Sequence, residues 1–227
     1  MYGKLSTSLL AELIGTFMLI FIGAGAGALG LGGLLGVALA HGFVVIGLAY
    51  AYGHISGTHL NPAVTAGVWA AGKIDARRAL SYIVFQILGG IAGAGVLAWV
   101  LGGTETGLGA TRLAESLSAG GTTITITPAI GFVVEVILTF FLVNAVMNAG
   151  ISGKVTHVAG IAIGFTLISC ILMGGPLTGA SLNPARTIGP DLILGDFPDL
   201  WVYLLGPVMG GVGAGLLYRG LYEERRR

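Results

Sequence analysis

Ser56-Gly57-Thr58-His59-Leu60-Asn61-Pro62-Ala63 and Thr178-Gly179-Ala180-Ser181-Leu182-Asn183-Pro184-Ala185 are two versions of one segment, 122 residues apart. Asn is a favoured helix N-cap and Pro is favoured at the first helical position. Each Asn-Pro-Ala therefore predicts a helix start. The helices that follow, over 62–71 and 184–194, are only about ten residues long, whereas a bilayer takes roughly 20 apolar residues. A capped surface helix would account for one copy. It does not account for two copies at a single offset inside apolar surroundings.

The repetition extends outward from these segments. Glu12-Leu-Ile-Gly-Thr16-Phe17 returns as Glu135-Val-Ile-Leu-Thr139-Phe140, 123 residues on, and Gly42-Phe43 returns as Gly164-Phe165, 122 residues on. Gln86-Ile-Leu-Gly89-Gly90 answers Pro207-Val-Met-Gly210-Gly211 at 121. The chain is thus one domain, 1–227, made of two repeats at about 1–103 and 126–227.

Composition places both repeats in a membrane. Charged residues make up 9% of the chain and hydrophobic ones 55%, with a mean hydropathy of +0.92. An ordinary soluble domain carries roughly 25% charged residues. A net charge of +1 gives no basic footprint, so nucleic acid is excluded as a partner. The single cysteine, Cys170, excludes a disulfide framework and a Cys-x-x-Cys metal site. Glycine, at 41 residues, points to closely approaching helices, with Gly23/Gly27, Gly89/Gly93, Gly160/Gly164 and Gly211/Gly215 as crossing points.

Six stretches are long enough to span: 8–30, 34–52, 79–101, 128–147, 155–173 and 200–221. An even number of spans puts both termini on one side. Lys4, Lys73, Arg77, Arg78, Lys154, Arg219 and Arg225 to Arg227 all fall on that side, nine of eleven cationic residues, and the positive-inside rule makes it cytoplasmic. The 104–127 loop, with Arg112, lies opposite. Three spans per repeat oblige the second repeat to enter from the other face. The halves are therefore inverted about a pseudo-two-fold axis in the membrane plane, an arrangement known from transporters. The expected fold is all-α: six transmembrane helices plus two re-entrant half-helices.

Inversion lets the half-helices meet N-terminus to N-terminus. Each helix start carries about half a positive charge and free N–H donors. Two such ends repel cations, and the Asn61 and Asn183 amides can donate to a neutral molecule. Irregular backbone survives at membrane depth only where it lines a watery cavity or is buried in protein. The segments before each motif are therefore expected to run extended and to wall a pore with the carbonyls of Gly57, Thr58, His59, Gly179, Ala180 and Ser181. Glu12 and Glu135 are intramembrane carboxylates, and such groups default to functional hypotheses. They fit a structural role, accepting from N–H groups of the irregular segment in their own half; a proton-coupled transporter is the rival reading.

At these residues the chain resembles an aquaporin of the major intrinsic protein family, most like its prokaryotic and archaeal members. The resemblance rests on the doubled Asn-Pro-Ala, the doubled Glu-x-x-x-Thr-Phe and the Asn-Pro-Ala-Arg ending at Arg186, and it covers essentially the whole length. It implies a homotetramer with one pore per subunit, multi-pass in the cell membrane, with no cofactor. Family spacing assigns a selectivity filter to His41, Ile171, Ala180 and Arg186. That quartet looks like the vacuolar plant branch. Thr187 after Asn-Pro-Ala-Arg favours water over glycerol, whereas Asp191 and Tyr203-Leu204 are mixed markers. The implied function is a passive, osmotically driven water channel that excludes ions and protons, with slow glycerol passage. The alternative is a broader neutral-solute channel for glycerol, urea or ammonia. No nucleophile–base pair or phosphate loop supports an enzyme. The irregular spacing of His41, His54 and His59 supports no metal site. Cys170, adjacent to Ile171, is expected to face away from the pore.

Overall fold

The computed structural model describes residues 3–153 and 155–223. Lys154 and Arg225 to Arg227, which entered the charge argument above, lie outside the described residues. Six helices are long and apolar enough to cross a membrane: α1 (Leu5–Ala28), α2 (Gly33–Ser56), α4 (Ala76–Val100), α5 (Pro128–Ile151), α6 (Ala159–Thr178) and α8 (Leu200–Glu223). Two short helices, α3 (Pro62–Ala70) and α7 (Pro184–Leu194), carry the Asn-Pro-Ala starts. The outward surfaces of the long helices are apolar, with Leu10, Phe43, Leu80, Phe165 and Leu205 all exposed.

The contacts repeat with the sequence. In the first half α1 packs against α4, and in the second α5 packs against α8. Each half-helix crosses over, α3 packing on α8 and α7 on α4. The central pair, α2 and α6, meet at equivalent glycines. A Cβ on Gly42 would lie 2.8 Å from the carbonyl oxygen of Gly164, and one on Gly164 would lie 2.7 Å from that of Gly42. Any side chain at either position would push the two backbones apart. Both first spans also contain a π-helical turn, at Ile20–Ala24 and Val146–Ile151.

Helix ends follow local chemistry. Asn61 and Asn183 are extended N-caps whose Oδ1 atoms accept from Ala63 N at 2.8 Å and from Ala185 N at 3.0 Å. Pro62 and Pro184 fill the first helical positions, where no backbone N–H is required. The helices α2 and α6 run past the sequence-derived ends at 52 and 173 to Ser56 and Thr178. Glycine, His54 and Pro176 made those last turns look like loop. Burial of Ser56 and Thr178 against carboxylates holds them helical, and left-handed Gly57 and Gly179 stop them.

One expectation is corrected. The segments before Asn61 and Asn183 are not extended. Thr58 and Leu60 have φ of 52° and 53°, and Ala180 and Leu182 repeat this at 47° and 53°. The left-handed residues turn neighbouring N–H groups to one side. The helical architecture also carries a small antiparallel hairpin, β1 (Ser116–Ala119) with β2 (Thr122–Thr125), in the 104–127 loop.

Candidate functional site

The carboxylate of Glu12, fully buried in α1, organises the first irregular segment. Its Oε1 accepts from Ser56 Oγ at 2.6 Å and His59 N at 2.9 Å, and its Oε2 accepts from Leu60 N at 2.6 Å and Gln86 Nε2 at 2.7 Å. Glu135 does the same in α5. It accepts from Thr178 Oγ1 at 2.7 Å, Ser181 N at 2.9 Å and Leu182 N at 2.8 Å. Each carboxylate gathers two consecutive backbone N–H groups that no regular structure would satisfy. A charged acceptor makes such bonds short and strong. Tyr82 and Tyr203, both fully buried, complete the pattern: their hydroxyls donate to the carbonyls of Ser56 and Thr178, each at 2.9 Å.

The two asparagines tie the halves together. Asn61 Nδ2 donates to the carbonyl of Leu182 at 2.8 Å, and Asn183 Nδ2 donates to that of Leu60 at 2.9 Å. One amide hydrogen of each Asn is then committed across the interface, and its oxygen is committed to its own cap. Among the described residues, the second amide hydrogen is left over on each.

A cavity of about 700 Å³ runs beside this junction. Tyr50, His54, Lys73 and Gly160 line it, as do Asn61 and Asn183. Gly57, Thr58, His59, Ala180 and Ser181 of the irregular segments contribute to the lining, beside the apolar Val45, Leu142, Val146, Ile163 and Leu167. The lining also includes His41, Ile171, Ala180 and Arg186, which the fold brings to one cavity from α2, α6, the second irregular segment and α7. All four are buried. No carboxylate is among the lining residues described; Glu12 and Glu135 stand behind the wall.

His41 sits where α1 has Gly23, and a Cβ there would lie 2.6 Å from the ring. The Nδ1 of His41 is 2.9 Å from the carbonyl of Val37, so Nδ1 is the donor. Its Nε2, like Nη1 of Arg186, has no hydrogen-bond partner among the described residues. Pro62, Ala63, Pro184 and Ala185 are buried in the helix starts and do not line the cavity. On the side where a Cβ would stand, Gly179 faces the connecting loop, 3.2 Å from Arg112 N and from Thr111 Cα. The Cys170 thiol is also outside the cavity. It donates to the carbonyl of Leu138 at 3.6 Å, in an outward groove with Phe141, Phe165 and Met173.

The sequence reading gave no structural role at the site to Thr111, Arg112 or Gln86, nor to the pair Thr65 and Thr187, of which Thr187 served only as a solute marker. A signal existed for the last pair, since both threonines stand four residues after a motif Asn. For Arg112 there was none. It lies in the unrepeated loop, and its ion pair with Asp191 at 2.6 Å forms only in three dimensions.

A model of the major intrinsic protein family matches residues 3–218. The chain belongs to that family. Aquaporin Z of Rhodopseudomonas palustris is 38% identical over 227 residues, covering 95% of this chain and 93% of that protein. Aquaporin NIP1-4 of Oryza sativa subsp. japonica is 40% identical over 215 residues, covering 92% of this chain and 75% of the relative. The X-ray structure of the aquaglyceroporin from Plasmodium falciparum is similar with a TM-score of 0.82 over 96% of this chain and 97% of that one. At 24% identity, this last likeness speaks for the fold. As a major intrinsic protein, the chain shares that six-span, two-half-helix architecture.

Proposed function

We propose that this major intrinsic protein is a passive water channel, driven by osmotic gradients and closed to ions and protons. The observation that carries the reading is the state of Asn61 and Asn183. Both line the cavity, and among the described residues each has one amide hydrogen left after its cap and its cross-half bond. A water molecule at that level accepts from both. Its own hydrogens then point away along the channel, so a file of waters reverses direction there and cannot relay a proton. The two helix starts at the same level add positive potential against cations. The lining has no carboxylate among the described residues, and Glu12 and Glu135 are engaged by the backbone, which speaks against a proton-coupled carrier.

His41, Ile171, Ala180 and Arg186 act as the selectivity filter in this reading. Arg186 contributes a fixed cation with an unused donor, and His41 contributes an unused acceptor. Charge acts strongly where bulk water is excluded. The carbonyls of Gly57, Thr58, His59, Ala180 and Ser181 supply acceptors along the path. Ile171 gives one apolar side, against which the carbon edge of glycerol fits, and slow glycerol passage accompanies water flow.

The whole chain, 1–227, acts as one channel domain with inverted repeats at about 1–103 and 126–227. It assembles as a homotetramer with a pore in each subunit and carries out no chemical reaction. Lys4, Lys73, Arg77, Arg78 and Arg219 on the face where α1 begins support cytoplasmic termini in the cell membrane. Stopped-flow light scattering on proteoliposomes, with water, glycerol, urea and ammonia compared in one preparation, tests the function. Water flux is expected to follow the osmotic gradient and to ignore an imposed pH gradient. Flux that required a proton gradient would overturn the reading.

A further inference from the structure

Thr65 and Thr187 hold the same place in the two halves, 122 residues apart, and each buttresses a residue of the cavity wall. Thr65 Oγ1 is 2.9 Å from Gln86 Nε2 and 3.1 Å from His59 Nδ1. An amide nitrogen only donates, so Thr65 accepts from Gln86, and the same hydroxyl bonds the ring of His59. In the second half Ser181 Oγ donates to the carbonyl of Asn183 at 3.0 Å. It must then accept from Thr187 Oγ1 at 2.7 Å, and Thr187 must accept from Thr111 Oγ1, also at 2.7 Å. In one half donation therefore runs from Gln86 to Thr65, which His59 also bonds. In the other it runs from Thr111 through Thr187 and Ser181 to Asn183.

The two chains begin differently for a reason visible in the sequence. The residue matching Gln86, 121 positions on, is Pro207, which has no donor at all. A residue of the connecting loop, Thr111, takes the empty role. The loop is fastened there from several directions. Arg112 Nη1 donates to the carbonyl of Thr111 at 2.7 Å and to Asp191 Oδ1 at 2.6 Å, and Nη2 reaches Asp196 at 3.2 Å. Asp191 is fully buried, and its Oδ2 has no partner among the described residues. Ala114 N donates to the carbonyl of Leu177 at 2.9 Å, one residue before the end of α6.

We propose that Thr111, clasped by the Arg112–Asp191 ion pair, positions the Ala180–Asn183 wall beside His41, Ile171 and Arg186 and thereby sets the solute selectivity of the cavity. Thr111 and Arg112 are positioning residues, outside the cavity lining. Thr187 directly follows Arg186 on the first turn of α7, so the same bond that fixes Ser181 fixes the turn bearing the cation. A site of this kind is only as exact as the groups behind it. The inference rests on the channel reading for what is selected, but not for what is positioned.

The test uses the full chain in proteoliposomes, with Thr111→Val, Thr111→Ser, Asp191→Asn and the Thr111→Val/Asp191→Asn double variant. Water and glycerol permeabilities are measured together, beside amide hydrogen exchange at 180–183 and, as internal control, at 58–61. Loss of one buried hydrogen bond corresponds to roughly a three- to tenfold effect. Thr111→Val is expected to raise the glycerol-to-water ratio by about that factor and to speed exchange at 180–183 alone, while Thr111→Ser keeps wild-type values. Asp191→Asn should act in the same direction, and the double variant should not exceed the larger single effect, because both lie on one path. If Thr111→Val lowered only the yield of folded protein, with ratio and exchange unchanged, the proposal would be overturned. Wild-type vesicles that passed no water would overturn the channel reading and the selectivity claim. The exchange rates would still judge the clasp.

Discussion

The side-chain amide of Asn61 donates to the backbone carbonyl of Leu182 at 2.8 Å, so the cap of one half-helix closes the irregular segment that precedes the other. Asn183 returns the bond to Leu60. The junction is thus a reciprocal pair in which each Asn serves its own helix with oxygen and the opposite half with nitrogen.

Replacing Asn61 tests the two services separately. Asn61→Ala loses the cap, at about 1–2 kcal/mol, and also the cross-half bond, at about 1 kcal/mol. Asn61→Ser keeps a cap but is too short to reach Leu182, so it should fall between wild type and alanine. Thermal unfolding in detergent, followed by loss of the monodisperse peak, is expected to rank wild type above serine above alanine. Equal midpoints for serine and alanine would remove the cross-half bond from the stability account.

Glu12 offers a sharper contrast. Glu12→Ala leaves the donors of Ser56, His59, Leu60 and Gln86 facing an empty site in a dry interior. Each stranded group costs about 1–3 kcal/mol, enough to cancel the stability of an ordinary domain. Glu12→Gln keeps one acceptor oxygen and presents hydrogens to some of the same donors. Folded yield by size exclusion should descend from wild type through glutamine to alanine, with little alanine variant recovered. Comparable yields for all three would mean that the segment holds its shape without the carboxylate.

At the proposed filter, Arg186→Val removes a cation whose Nη1 has no partner among the described residues, and His41→Ala removes a ring that lines the same cavity. Hydrogen bonds to a charged group are worth about 1.5–3 kcal/mol, so glycerol or urea flux should rise on the order of tenfold in the arginine variant. His41→Ala should widen the opening further, and the double variant should leak protons. Solute flux and vesicle pH are the measurements. Wild-type selectivity in all three would place the filter elsewhere.

Mercurial reagents should block water flow weakly or not at all. The thiol of Cys170 lies in the outward groove with Phe165 and Met173, separated from the cavity by its own helix. Ala180 lines the cavity, so Ala180→Cys should create sensitivity. A strong wild-type block that disappeared in Cys170→Ala would contradict this placement.

Much of the fold could be read before any coordinates. Periodic repetition of Glu12/Glu135, Gly42/Gly164 and Asn61/Asn183 implied two inverted halves, because three spans per unit leave no other way to close the chain in a bilayer. Asn before Pro marked both half-helix starts, since capping is chemistry local to two or three residues. Errors arose where distant groups override local preference. The final turns of α2 and α6 look like loop, and the lining segments look extended. Both are held otherwise by Glu12 and Glu135, from spans more than 40 residues away in the chain.

Repetition and apolar length, present in the order of residues alone, decided the number of spans, their inversion and the two helix starts that meet inside. The resemblance to the family, not repetition or length, picked out His41, Ile171, Ala180 and Arg186 as a set. Packing decided the rest. It turned Thr58, Leu60, Ala180 and Leu182 left-handed. It also recruited Thr111 to the place that Pro207 cannot fill. The physical reason is the same in each case: a buried donor or acceptor must find a partner, and where the neighbouring chain offers none, the partner comes from whichever element the fold brings within 3 Å or so.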